Sequence, residues 1–164
     1  MILSDTNILS TFAKIQELCL LVRLFGGERI GIVPAVFEEL QNGVTEGYVA
    51  LKPVIENIEK SQIDLVLPGT DEILEKATLP KSFDEGERET IAVAKSRAYA
   101  ILTNERLIKN WCNKAGIKCF DLPAILSALW RTELLTKEGV QELCRQIEEK
   151  DRVVFKDKEQ IFID

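Results

Sequence analysis

The side chains best placed to do chemistry are acids that lie far apart in the chain. Asp5 follows the apolar run Met1-Ile2-Leu3, and Glu39 falls in the helical pattern after a second apolar run at residues 30–33. Glu87 sits in the first turn of a helical pattern that feeds a further strand-like run at 99–102, and Thr103-Asn104 closes that run. The chain has no histidine. That absence removes Ser-His-Asp and Cys-His nucleophilic sites, His-based general acid–base catalysis and HExxH zinc chemistry. Any hydrolysis must therefore run on carboxylates, whose oxygens suit a hard divalent cation, Mg²⁺ or Mn²⁺, that keeps several of its waters.

Each acid also has a local role that needs no cation. Asp5 before Asn7-Ile8 reads as a helix cap, and Phe37-Glu38-Glu39-Leu40 reads as a solvated helix face. In DEGERETIAVAKSR, residues 84–97, the acids Asp84, Glu85, Glu87 and Glu89 crowd one helix start. The macrodipole favours acids there by about 0.3–1 kcal/mol each. These effects account for one or two carboxylates, not for several chain-distant ones at strand exits. The expectation is that Glu87 faces a metal together with Asp5, that Asp84 and Glu85 cap the helix, that Glu89 is solvated, and that Asp84 is the reserve ligand. Residues 88–118 carry seven basic side chains against two acidic ones within a chain of net charge −6. A local basic face beside acids suits a phosphate-bearing substrate, with Arg88, Arg106 and Lys109 as its contacts, whereas the overall charge argues against gripping a long duplex by phosphate neutralisation alone.

The elements that must position these groups alternate in period. Strands are expected at 1–3, 30–33, 63–67, 99–102 and 117–120. Helices are expected at 8–25 up to Gly26-Gly27, at 34–41 with Pro34 first, at 45–60 around Pro53, and from Thr70 to Ala77. Further helices are expected at 90–97, from Asn104 as cap to about Lys114, from Asp121-Pro123 to Arg131, and from Thr136 to about Lys150. The tail 153–164 reads as a strand or a short packed helix. Alternation of this kind predicts an α/β fold, a three-layer α/β/α domain with a mostly parallel sheet. In such sheets ligands bind beyond the carboxyl ends of the strands, where strand order reverses. Asp5 and Asn104 face each other there if their strands are neighbours.

At 164 residues and 46% hydrophobic, the chain fits one domain that buries roughly 70% of its unfolded surface. No basic n-region and no membrane-length apolar run is present, so a soluble, cytoplasmic protein is expected. The four cysteines form no C-x-x-C pair, which argues against zinc; Cys19 and Cys144 read as core residues, and Cys112 and Cys119 are the one pair that could meet in a disulfide.

Four segments in order, Leu3-Ser4-Asp5-Thr6-Asn7-Ile8, Val36-Phe37-Glu38-Glu39-Leu40, Gly86-Glu87-Arg88-Glu89-Thr90 and Ile101-Leu102-Thr103-Asn104-Glu105, resemble those of PIN domains. The Gly-Glu form of the third segment resembles the prokaryotic branch near the toxin ribonucleases. The resemblance covers residues 1–144, leaving those from about 145 as a C-terminal extension packed on a single PIN-like domain. It implies a five-stranded parallel sheet and a metal-dependent ribonuclease using Mg²⁺ or Mn²⁺. Asp5, Glu39 and Glu87 match its first three acids, and Asn7 and Thr103 match supporting polar positions. Asn104 stands where the family usually has an Asp. Glu105 follows directly, but on a helix an adjacent residue points about 100° away. The resemblance further implies RNA as substrate, an antitoxin protein as partner, and often a homodimer, for which residues 8–25 and 124–130, Trp130 especially, offer an apolar face. An inactive scaffold that binds RNA or protein is the alternative. An aspartyl-phosphate phosphatase is the weakest reading, because Asn7 stands where its second Asp belongs.

Overall fold

The computed structural model describes residues 1–163. Its strands are β1 (Ile2–Ser4), β2 (Ile30–Ile32), β3 (Asp64–Leu65), β4 (Ala100–Leu102) and β5 (Cys119–Phe120), all parallel, in the order β3-β2-β1-β4-β5. Helices α1 (Thr6–Lys14), α2 (Leu18–Leu24), α3 (Pro34–Thr45), α4 (Lys52–Glu59), α5 (Thr70–Thr78), α6 (Glu85–Arg97), α7 (Arg106–Ala115), α8 (Leu122–Arg131) and α9 (Lys137–Asp151) flank it as the expected three-layer α/β/α arrangement. The strands are short and almost wholly apolar because helices cover both faces. Leu3, Ile32 and Leu102 are fully shielded at the centre, each worth roughly 1.5–3 kcal/mol of burial. β1 and β4 are direct neighbours, paired from Ile2 with Ala100 to Ser4 with Leu102. The chain winds from β1 through β2 to β3 on one side, then returns to place β4 on the other, so strand order reverses between β1 and β4.

Several helix starts fall where their cap residues predict. Asp121 accepts from Ala124 N–H, Thr136 from Gly139 N–H, and Pro34 occupies the first turn of α3. The expected helix over 8–25 is two helices, because Gln16 turns left-handed (φ 61°) and redirects α2 so that Leu18, Leu20 and Leu21 reach the core. The expected helix over 45–60 is interrupted likewise. Gly47 (φ +103°) turns the chain into a 3₁₀ turn at Val49–Leu51, and Pro53 falls in the first turn of α4, where it needs no N–H partner. The tail forms a 3₁₀ turn, Lys158–Phe162, held on α8 by the Trp130 indole N–H, which donates to Ile161 O at 2.7 Å. Trp130 is half-buried beneath that contact, with the Lys137 ammonium 4.2 Å from its ring centre. All four cysteines are free thiols. No helix among the described residues is long and apolar enough to cross a membrane.

Candidate active site

Asp5 leaves β1 at the reversal point and caps α1: its Oδ1 accepts from Ile8 N–H at 2.8 Å. Its Oδ2 is shielded from solvent and no hydrogen bond reaches it. Burial pushes this carboxyl up to about 6, Glu105 pushes the same way, and Ile8 N–H, the Thr103 hydroxyl and Asn104 N–H pull it back only in part.

Glu39 is carried on α3, one turn in from Pro34, and accepts from the Thr6 hydroxyl at 2.5 Å. Burial raises its pKa, with Asp84 adding to the rise. Its other oxygen lies over Gly86 in the first turn of α6. A Cβ built on Gly86 would stand 2.7 Å from Glu39 Oε1 and 3.2 Å from Val36 Cγ2. Gly86 is thus a vacancy shaped for the Glu39 carboxylate, and it lets the acid approach the positive end of α6.

Glu87 follows in a reciprocal cap: Asp84 Oδ1 accepts from Glu87 N–H and Glu87 Oε2 accepts from Asp84 N–H, both at 2.8 Å. Its pKa is raised, first by burial and then by Asp84, Glu105 and Glu39. Glu105 completes the group. It lies before α7 with extended backbone (φ −77°, ψ 114°), and its Oε1 accepts from the Asn7 amide at 2.9 Å. The fully buried Thr103 hydroxyl accepts from Glu105 N–H at 3.1 Å.

Four carboxylates thus gather at the β1/β4 reversal: Asp5, Glu39, Glu87 and Glu105. Each accepts through one oxygen from a donor of the protein, and none has an ion pair among the described residues. The oxygens stand apart. Among the described residues no three acids, cysteines or histidines converge tightly enough to form a ready-made metal cage. The donor set nevertheless fits a hard cation, because all its atoms are carboxylate oxygens and one, Asp5 Oδ2, is buried with nothing to neutralise it.

The other expected residues are placed as follows. Asn104 turns away from the acids, and its Oδ1 accepts from Leu122 N–H at 3.4 Å, at the start of α8. It does not cap α7. Glu85 is held by Lys76 and Arg88, and Asp84 stays exposed beside Glu87. Glu89 is buried rather than solvated; it accepts from Ala35 N–H at 2.8 Å and pairs with Lys76 at 3.2 Å. Lys109 is committed to Asp121, and Arg88 to Glu85 at 2.7 Å. Arg106 stands exposed beside Glu105. Thr6, which orients Glu39, is missed by sequence reasoning, although its place inside the first matching segment was a signal. A concavity of about 860 Å³ lies at the opposite end of the sheet against Met1, Tyr99 and Gly116, where no group of acids assembles among the described residues.

A family model described as PIN domain matches residues 1–159. The chain belongs to the PIN-domain family. No curated protein matches the chain, nor does any solved structure. The PIN fold is a nuclease-type fold, and in this PIN domain the acids carried by the family-like segments stand at the switch point of the sheet.

Proposed function

We propose that this PIN domain is a metal-dependent endoribonuclease whose site is Asp5, Glu39, Glu87 and Glu105, with Asn7, Thr103 and Thr6 holding those acids in place. The observation that carries the reading is the assembly of four chain-distant carboxylates at the β1/β4 reversal with no ion pair among the described residues, one of them with a buried oxygen that makes no hydrogen bond. Asp5, Glu87 and Glu105 would hold Mg²⁺ or Mn²⁺, which when bound supplies charge stabilisation to a phosphodiester under attack. Glu39, kept off its ordinary range and hydrogen-bonded to Thr6, orients the attacking water and accepts its proton. Of the three expected phosphate contacts, Arg106 is the one with no ion pair among the described residues, and it would meet an adjacent phosphate. Glu105, rather than Asn104, is the fourth acid in this reading, because its charge is felt at both Asp5 and Glu87 while the Asn104 oxygen is taken by Leu122 N–H.

The same chain has a second reading as an RNA- or protein-binding scaffold. It draws on the lack of a ready-made cage and on the engagement of Glu87 in a helix cap. One experiment separates the two. Single-stranded RNA incubated with Mn²⁺ is cut by the wild-type chain and left whole by Asp5→Asn, and millimolar Mn²⁺ raises the melting temperature of the wild type only. Identical traces for the two proteins, with no metal shift, favour the scaffold.

A further inference from the structure

A notch of about 230 Å³ lies between the start of α8 and the tail segment 153–161, and its lining includes Asn104, whose backbone N–H reaches the Asp5 carboxyl. It begins at Asn104, the residue immediately before Glu105, so the notch and the carboxylate group are contiguous along the backbone. Val153 and Phe155 contribute apolar walls, and the polar rim is made by Asn104, Lys156, Asp157 and Gln160. The Asn104 oxygen is occupied by Leu122 N–H, so the amide nitrogen is the end left for a ligand. The Gln160 side-chain amide has no hydrogen bond, and Lys156 has no ion pair, among the described residues.

We infer that this notch receives one unpaired nucleobase of the RNA whose neighbouring phosphate reaches the acids; the inference rests on the nuclease reading above. The cavity is the size of a single base rather than a nucleotide pair. Its apolar walls take a base face, and two amide side chains offer donors and an acceptor to a base edge, the mode by which proteins read single-stranded RNA. A phosphate is the poorer occupant, since Asp157 stands on the rim and Glu105 next to it. Lys156 is placed to meet the phosphate that follows the bound base. A base held in a duplex cannot enter, so single strands and loops are the substrate class.

The test measures binding in the cleavage-silent Asp5→Asn background. Anisotropy titrations use a labelled single-stranded RNA, the same RNA as a duplex, and an abasic ribose-phosphate oligomer of equal length. Gln160→Ala and Asn104→Ala each weaken the single strand about five- to tenfold, in keeping with the loss of contacts to one base. Neither change alters abasic-oligomer binding, and Lys156→Ala weakens both ligands alike. Gln160 is exposed on a surface turn, so its substitution leaves the melting temperature unchanged and serves as the control for folding. Equal affinity of the parent and Gln160→Ala for the base-bearing strand overturns the notch while leaving the nuclease reading to the cleavage assay. A wild-type chain that cuts RNA with no base-dependent loss in either variant does the same, and a chain that neither binds nor cuts RNA overturns both.

Discussion

Four acids at the β1/β4 reversal and four along the α5–α6 seam are treated in opposite ways. In the seam four carboxylates each meet a cation: Glu72 is gripped by Arg97 through two bonds of 2.7 Å, Glu75 pairs with Lys95, and Glu85 and Glu89 share Lys76. The Glu72 carboxyl is held down to about 2, chiefly by Arg97. At the reversal Asp5 is pushed up to about 6 by burial, and Glu39 and Glu87 are raised beside it. Carboxylates matched to cations lock two helices together. Carboxylates gathered without cations cost stability, and they persist because hydrogen-bond donors of the fold hold each one in place. The opposed shifts follow from what each group of acids is packed against, cations in the seam and none among the described residues at the reversal.

Three substitutions test this contrast. Gly86→Ala drives a methyl group into the place of Glu39 Oε1, which must swing away. RNA cleavage falls about 10–100-fold, the cost of misplacing a catalytic group by an ångström or so, while thermal melting changes little because alanine suits a helix. Retained cleavage would show that Glu39 has no part in the site. In the seam, Glu72→Gln costs about 2–3 kcal/mol in denaturant unfolding, because it strands Arg97, yet leaves cleavage per folded molecule intact. Its pH signature follows from a folded pKa below the unfolded one. The wild-type advantage is complete above the ordinary value of 4.5 and fades as pH falls toward about 2. Asp5→Asn has the opposite sign. A carboxyl raised from 3.8 to about 6 penalises the fold above pH 6, and the penalty fades as pH drops through 6 toward 3.8. In chelator at pH 8 the variant is therefore more stable than the wild type, by roughly 1–3 kcal/mol, with the advantage gone near pH 4. A destabilised Asp5→Asn chain would mean that the buried oxygen has a partner within the protein after all.

Much of this was legible in the residues. The strand–helix alternation, the caps at Asp84, Asp121 and Thr136, and Pro34 follow from local chemistry, and so the sheet and the places of Asp5, Glu39 and Glu87 could be read. What escaped reading was set by tertiary contacts. Gln16 breaks a helix with no Gly or Pro to announce it, since the core is better filled when α2 turns. Glu89 is a surface acid by local pattern, but Ala35 N–H at the start of α3 draws it inward. The Asn104–Glu105 pair was the subtlest. A helical offset of about 100° assumed helical backbone, and the backbone at Glu105 is extended, which leaves the Asn104 oxygen on Leu122 N–H and the Glu105 carboxylate on the Asn7 amide.

The pairing of β4 with β1 also fixes when the carboxylate group can assemble during the protein's own synthesis. Strands Ile2–Ser4 and Ala100–Leu102 are the innermost neighbours of the sheet, and Glu105 lies beyond the second of them. A nascent chain must emerge from the ribosome past this point before the first acid can meet the last, and closing so long a loop is slow. No early fragment can assemble the full carboxylate group, so under the nuclease function proposed above the chain stays harmless to its own messenger until translation is well advanced.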